Sequence, residues 1–338
     1  MIFALRWRMA FASLNVFYIK GRMVNRPYKS IKRTKENNMT EASALENKAK
    51  EMLKGVIDFH IHTGPDIYPR LLNDIEVAEQ AKKAGMAAIL IKSHATITGD
   101  RAQIAEKVTG FPVFGGVALN WHIGGLNKYA VECAAKLGVK EVWMPTTHAT
   151  NYLKHVNHVP MFAKSMPKDI KGISILRDNG SLVPEVGPIL EIVAKNNMIL
   201  ATGHLSPEEG LALISEAKKA GVEKIVVTHP VASFVNYSVA QMSEAISRGA
   251  TYLEHVFNDC TPQVANPLPP SALGDAIKAI GAQYCIMSTD SGQVVNPPPV
   301  EVMAWYIREM LKYGISEKDI RTMTITNPGR ILGLSKLS

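Results

Sequence analysis

Three cysteines in 338 residues, at positions 133, 260 and 285, are too few and too scattered for a disulfide framework. A reducing, cytoplasmic setting is therefore the default. Cys133 falls in a helical pattern and Cys285 in an apolar strand, while Cys260 lies in a loop with nothing beside it to mark a nucleophile. Membrane-length apolar runs are also missing: Met9 to Ile19 is about half of the ~20 residues a span needs, and no other segment comes closer. No Gly-x-Gly-x-x-Gly follows the first strand, which weakens a dinucleotide-binding reading. Repeats of solenoid period and low-complexity tracts are absent too. Nor does the body of the chain carry a charge excess. The net charge is +8, but residues 1–38 hold nine Lys/Arg against one acid, and the remaining 300 balance 29 basic against 29 acidic residues. The basic pI thus gives no reason to expect nucleic acid as a partner.

The first 38 residues are read as an extension, disordered or non-native. A positive start and a short apolar run resemble a signal peptide without a clear cleavage site, and an Arg-rich leader is a second option. A third is that the chain proper begins at Met39, where Met39-Thr-Glu-Ala-Ser-Ala-Leu-Glu opens an ordinary helix. The domain is accordingly placed over 39–338.

What is present is a hydrophobic content of 46% with a mean hydropathy of +0.01, the signature of a globular chain with a sizeable core. After a lead-in helix over 40–54, eight apolar β-runs alternate with mostly helical patterns. Their expected spans are 56–61, 87–93, 111–119, 139–144, 198–202, 224–228, 251–257 and 284–289. Helices are expected over 74–84, 126–137, 207–220, 237–248, 271–280 and 300–313. Between the fourth and fifth strands, residues 172–183 read as an inserted β-hairpin with an Asn179-Gly180 turn. Eight β/α units favour a closed (β/α)8 TIM barrel over an open sheet.

In such a barrel functional side chains gather where strands end. His60 and His62 end strand one, His94 strand two, His204 strand five, His229 strand six and Asp290 strand eight. Strict alternation places Asp58, His60 and His62 on one face and Ile57, Phe59 and Ile61 on the other. Any one of these histidines is more simply a satisfied core or loop residue. Six such residues at five strand ends of one chain are poorly explained by chance. Imidazole nitrogen and carboxylate oxygen suit Zn²⁺, Mn²⁺ or Fe²⁺ better than Ca²⁺ or Mg²⁺.

These residues resemble the amidohydrolase superfamily of metal-dependent hydrolases. Asp58-x-His60-x-His62, His204, His229 and Asp290 carry the resemblance, with Thr326-Asn-Pro-Gly-Arg-Ile-Leu-Gly-Leu334 as a closing segment of similar pattern. It covers about residues 55–334 and points to an uncharacterised group within the superfamily. The resemblance implies that His60, His62 and His204 ligate a metal, and that Asp290 is a further ligand and the general base. His229 would be a ligand or a hydrogen-bond donor to the substrate. Strand four lacks the bridging Lys or Glu of the two-metal version, with Lys140 and Glu141 standing at its far end, so one ion, zinc first, is expected. Lys92 shares a face with His94, and both are candidates for metal or substrate contact. Lys92 is expected to salt-bridge a carboxylate such as Asp58 or a substrate acid group, the alternative being a carboxylated, bridging lysine.

Asp58 is read either as a residue orienting a ligand or as a polar strand cap. Asn120, His122, His148, Glu254 and His255 are weaker candidates for substrate contact, and only one of the last two can face inward. His155 and His158 are read as loop or lid residues. The activity expected is hydrolysis of a C–N or C–O bond in a small molecule, with no nucleic-acid or membrane partner and homo-oligomerisation left open. A decarboxylase or lyase on the same scaffold, or a metal-binding barrel without catalysis, are the alternatives.

Overall fold

The structure, a computed structural model, describes residues 42–334. The expectation for residues 1–38 lies outside the described residues. A lead-in helix over 42–51 precedes eight strands: β1 Ile57–His62, β2 Ala88–Lys92, β3 Val113–Ala118, β4 Glu141–Trp143, β5 Ile199–Ala201, β6 Lys224–Thr228, β7 Tyr252–Val256 and β8 Cys285–Ser288. A helix follows each strand: α1 Asp74–Lys83, α2 Gly99–Thr109, α3 Lys128–Lys136, α4 Val186–Lys195, α5 Pro207–Lys219, α6 Val239–Arg248, α7 Pro270–Ile280 and α8 Pro299–Lys312. Each strand pairs in parallel with the next in sequence. The ring then closes, because Asp290 N donates to His60 O and His62 N to Ser291 O, both at 2.8 Å. The fold is the expected (β/α)8 barrel. Among the described residues no helix is long and apolar enough to cross a membrane.

Local chemistry fixes several of these elements. Asn73, Ser206 and Ser238 open α1, α5 and α6 with reciprocal capping bonds to Glu76, Glu209 and Gln241. Helices α2 and α4 have weak sequence signals. The first begins on Gly99 without a side-chain cap, and the second, Val186-Gly-Pro-Ile-Leu-Glu-Ile-Val-Ala-Lys, carries Gly and Pro in its first turn and several β-branched residues. Packing of Val186, Ile189, Leu190 and Val193 into the core makes it a helix nonetheless. At the N-terminal end of the strands, Ile331 and Leu332 join the barrel-interior cluster. Asn327 Nδ2 holds them there by donating to the carbonyls of Ala282 and Cys285 at 2.9 and 2.7 Å.

The inserted hairpin is smaller than expected. It is a single antiparallel bridge between Leu176 and Leu182, and its turn is one residue longer. Arg177 N bonds Ser181 O, and Gly180 N bonds Arg177 O, each at 2.9 Å. The Asn179 side chain accepts from Ser181 N at 3.1 Å, an Asx turn that replaces the two-residue Asn-Gly loop. The insertion is tied to the barrel by Glu209, which accepts from Ser174 Oγ at 2.7 Å and Ile175 N at 3.0 Å.

Strict alternation along β1 does not hold. Its register with β2 shifts between Asp58 and Ile61. Ile57 and Phe59 lie in the barrel interior with Leu90 and Trp143, whereas Ile61 packs outward with Ile89 and Ile91. Such a bulge puts consecutive side chains on one side and re-aims the residues beyond it. Asp58 is drawn off the histidine face to the β1–β8 seam. Its carboxylate accepts from Thr289 N at 3.0 Å and Thr289 Oγ1 at 2.6 Å, with His60 N at 3.5 Å. Asp58 therefore closes the barrel.

Burial pushes the Asp58 carboxyl up to about 7, against the pull of the Thr289 bonds. A carboxyl raised in the folded state contributes stability that is present below its unfolded value near 4 and lost as pH rises through about 7. In metal-free protein Asp58→Asn should therefore gain on the wild type between pH 4 and pH 8. Asp58→Ala, which leaves the Thr289 amide without an acceptor, should lose about 1–3 kcal/mol. Thermal unfolding of the three chains at both pH values measures this, and an Asn-to-wild-type difference that does not move with pH would refute it.

Candidate metal centre

Two backbone features aim the side chains at the C-terminal rim. His229 after β6 and Asp290 after β8 both adopt left-handed conformations, with φ of 54° and 51°. For non-glycine residues this costs of order 1–3 kcal/mol, held in place by the surrounding structure. Gly292 follows at φ 133°, where any Cβ would collide with the His62 carbonyl. Only glycine lets the β8 loop pass so close to β1.

At the centre stands the Asp290 carboxylate. Oδ1 lies 2.9 Å from His62 Nε2 and 3.1 Å from His60 Nε2, and Oδ2 lies 3.6 Å from His229 Nε2. One donor atom each from His60, His62 and Asp290 falls within 4.8 Å of the others, and all three residues are buried. Around them five imidazoles form a circuit, His60–His62–His94–His204–His229, with ring centroids 4.8 to 6.0 Å apart. Burial opposes ionisation of Asp290, yet His60 and His62 hold its carboxyl well below the usual range. Burial holds His62, His94 and His204 well below the usual imidazole range, so they are neutral. Burial and Lys92 oppose protonation of His60, yet Asp290 and Glu254 raise its pKa above the usual imidazole value. Imidazole nitrogens beside an ionised carboxylate are the donor set that a borderline divalent cation takes.

The remaining expected residues divide by position. His204 packs against Tyr152 and Phe234, its Nδ1 unpartnered, outside the three-donor group. His94 Nδ1 bonds Thr146 Oγ1 at 2.8 Å. Asn120 is spent on the frame: its amide donates to His94 O and Thr146 Oγ1 and accepts from Thr146 N and His148 N. The His122 and His148 rings lie 4.6 Å apart at a 35° tilt, and His148 Nδ1 accepts from Trp121 N. On β7, Glu254 faces inward and bonds His60 Nδ1 at 3.2 Å. His255 is buried with both ring nitrogens unpartnered, and burial lowers it to about 4.

Lys92 departs from expectation. Its Nζ lies 3.0 Å from His60 Nε2 and 4.8 Å from the Trp143 ring centroid. Among the described residues it forms no salt bridge, because the Asp58 oxygens are taken by Thr289. Glu141, at the start of β4, is fully buried with both carboxylate oxygens unpartnered. Burial and the neighbouring Glu254 push its carboxyl well up, while Lys92 pulls the other way.

Sequence reading missed Asp259 and Arg70. Asp259, in the turn after β7, lies 3.4 Å from His229 Nδ1 and 3.8 Å from His158 Nε2. Burial opposes its ionisation, but His229 and His158 hold its carboxyl down. Its place just past a strand end was a legible signal. Arg70 lies eight residues from His62 in a loop, and nothing local marks it.

The barrel fold is one seen in solved structures of hydrolases. An amidohydrolase from Pseudomonas aeruginosa superposes with a TM-score of 0.54 at 14% identity, over 84% of this chain and 97% of its own. A mutant of an organophosphorus hydrolase from Deinococcus radiodurans gives 0.53 at 13% identity, over 83% and 94%. A mutant phosphotriesterase-like lactonase from the same organism gives 0.52 at 14%, over 82% and 95%. At these identities the likeness establishes the fold. Residues 55–254 match the family described as a family of unknown function, DUF6282, and the chain belongs to that family. None of the curated proteins matches it.

The bond from His60 to Glu254 makes a specific prediction. A carboxylate behind a ligating histidine fixes its tautomer, and its loss typically costs 10–100-fold in metal affinity. Glu254→Leu should weaken divalent-metal binding by about that factor. Glu254→Gln, which still offers an acceptor oxygen, should lose less. Competition against a chromophoric chelator reads both, and equal losses would contradict the assignment.

Proposed function

We propose that this protein is a metal-dependent hydrolase of the amidohydrolase type, cleaving a C–N or C–O bond of amide, ester or lactone kind in a small molecule. The observation that carries the reading is the convergence of His60, His62 and Asp290 donor atoms within 4.8 Å, buried at the C-terminal rim of the barrel. These three would hold one divalent cation, zinc first, with His204 and His229 on its open side. Such a cation acidifies water toward a pKa of ~7 and polarises the scissile group.

The chain's own residues supply the rest. Asp290, held ionised, takes a proton from the attacking water and returns it to the leaving group. His229, backed by Asp259 at Nδ1, presents Nε2 toward Asp290 and the substrate oxygen. Tyr152, Phe162 and Phe234 wall, with His204, a cavity of about 20 Å³, which limits water at the site. The domain doing this is placed over 39–338, in the cytoplasm.

Elemental analysis of the purified protein should find about one equivalent of a transition metal, chiefly zinc. A screen of esters, lactones and amides should find turnover that chelation abolishes and zinc restores. Asp290→Asn should lower kcat by about 10²–10⁴-fold. Metal-free protein, or turnover indifferent to chelator and to Asp290→Asn, would sink the reading.

A further inference from the structure

His60 and His62 look equivalent in sequence, but their Nδ1 atoms face opposite charges. His60 Nδ1 lies 3.2 Å from the Glu254 carboxylate, and His62 Nδ1 lies 3.2 Å from Arg70 Nη2. A carboxylate accepts and a guanidinium only donates. His60 thus carries a proton on Nδ1, and its Nε2 lies between Lys92 Nζ at 3.0 Å and Asp290 Oδ1 at 3.1 Å. His62, neutral and accepting at Nδ1, must carry its proton on Nε2, where it donates to Asp290 Oδ1 at 2.9 Å. In that tautomer Nε2 has no lone pair for a metal. We propose that Arg70 is a latch on metal loading: it holds His62 in the non-ligating tautomer, and His62 joins a divalent cation only when the guanidinium gives up Nδ1.

The surroundings show why the latch holds. The Arg70 side chain is 1% exposed and pinned by Asp66, whose Oδ2 lies 3.0 Å from both Nε and Nη2. Its backbone bridges Gln293 of the β8 loop, and Leu71 N donates to Gly292 O at 2.8 Å. The same loop pair therefore carries the latch and Asp290. Arg70 Nη1 has no partner, so the guanidinium is only partly satisfied where it sits. Arg70 acts on the cation through His62 and is a positioning residue.

This inference rests on the proposed metal site, and the experiment separates the two. Histidine-labelled, metal-free full chain is examined by long-range ¹H–¹⁵N correlation, with His62→Gln to assign the signal. Wild type and Arg70→Lys should show His62 protonated at Nε2, and Arg70→Gln, whose amide oxygen can accept, should show it at Nδ1. Zinc should bind Arg70→Gln at least about tenfold more tightly than wild type by chelator competition, one decade being the smallest shift that outweighs ordinary variation between substitutions. Arg70→Met, which removes the charge without adding an acceptor, should fall between them. Thermal unfolding confirms that each variant is folded. Equal zinc affinity across the folded variants, or Nδ1 protonation of His62 already in wild type, overturns the latch and leaves the metal site standing. Zinc bound by none of the chains removes the site and the latch together.

Discussion

A single ionised carboxylate, buried among imidazoles, is the constraint on which the rest of the structure depends. Asp290 cannot be left uncompensated in a barrel interior, since an unpaired buried charge is costly. Three histidines from two other strands, His60, His62 and His229, approach it within 3.6 Å. Bringing them there requires left-handed backbone at His229 and Asp290, glycine at 292, and a closed seam between the first and last strands. Barrel closure and site assembly are therefore one event, because Asp290 N also donates to His60 O in the seam.

Beneath this rim the interior holds several ionisable groups. Lys92, Glu141 and Glu254 are all fully or almost fully buried, and Trp143 lies between the lysine and the floor of apolar side chains. Burial lowers the Lys92 ammonium while Asp290, Glu254 and Glu141 raise it. His60 is thus held from below by Lys92 and Glu254, and His229 and His62 from the sides by Asp259 and Arg70. These contacts fix where the rings sit without a ligand, and Arg70 also fixes which His62 nitrogen is protonated.

Much of this is legible in the chain before folding. Buried parallel strands are short apolar stretches, so eight β-runs stand out, and Lys224–Thr228 has the bounds that its residues suggest. His60, His62 and Asp290 are legible because polar residues at strand ends in a barrel share a rim. Whatever depends on a neighbour distant in sequence escapes. Asp58 looks like a companion of the histidines until the bulge turns it toward Thr289. Lys92 looks like a salt-bridge partner for a carboxylate that is already committed. Glu141 looks remote because it begins its strand, yet it faces the interior near Glu254 and Lys92.

The sequence by itself determined the number and order of the β/α units, the barrel class and the residue types available at the rim, since periodicity and strand-end polarity are local properties. Only the tertiary structure decided which nitrogen of each histidine faces which charge, that Arg70 and Asp259 take part, and that Asn120 and Asp58 serve the frame. Those choices are set by hydrogen bonds between separate elements, from eight residues apart for Arg70 and His62 to 231 for Asp58 and Thr289, whose direction no local pattern encodes.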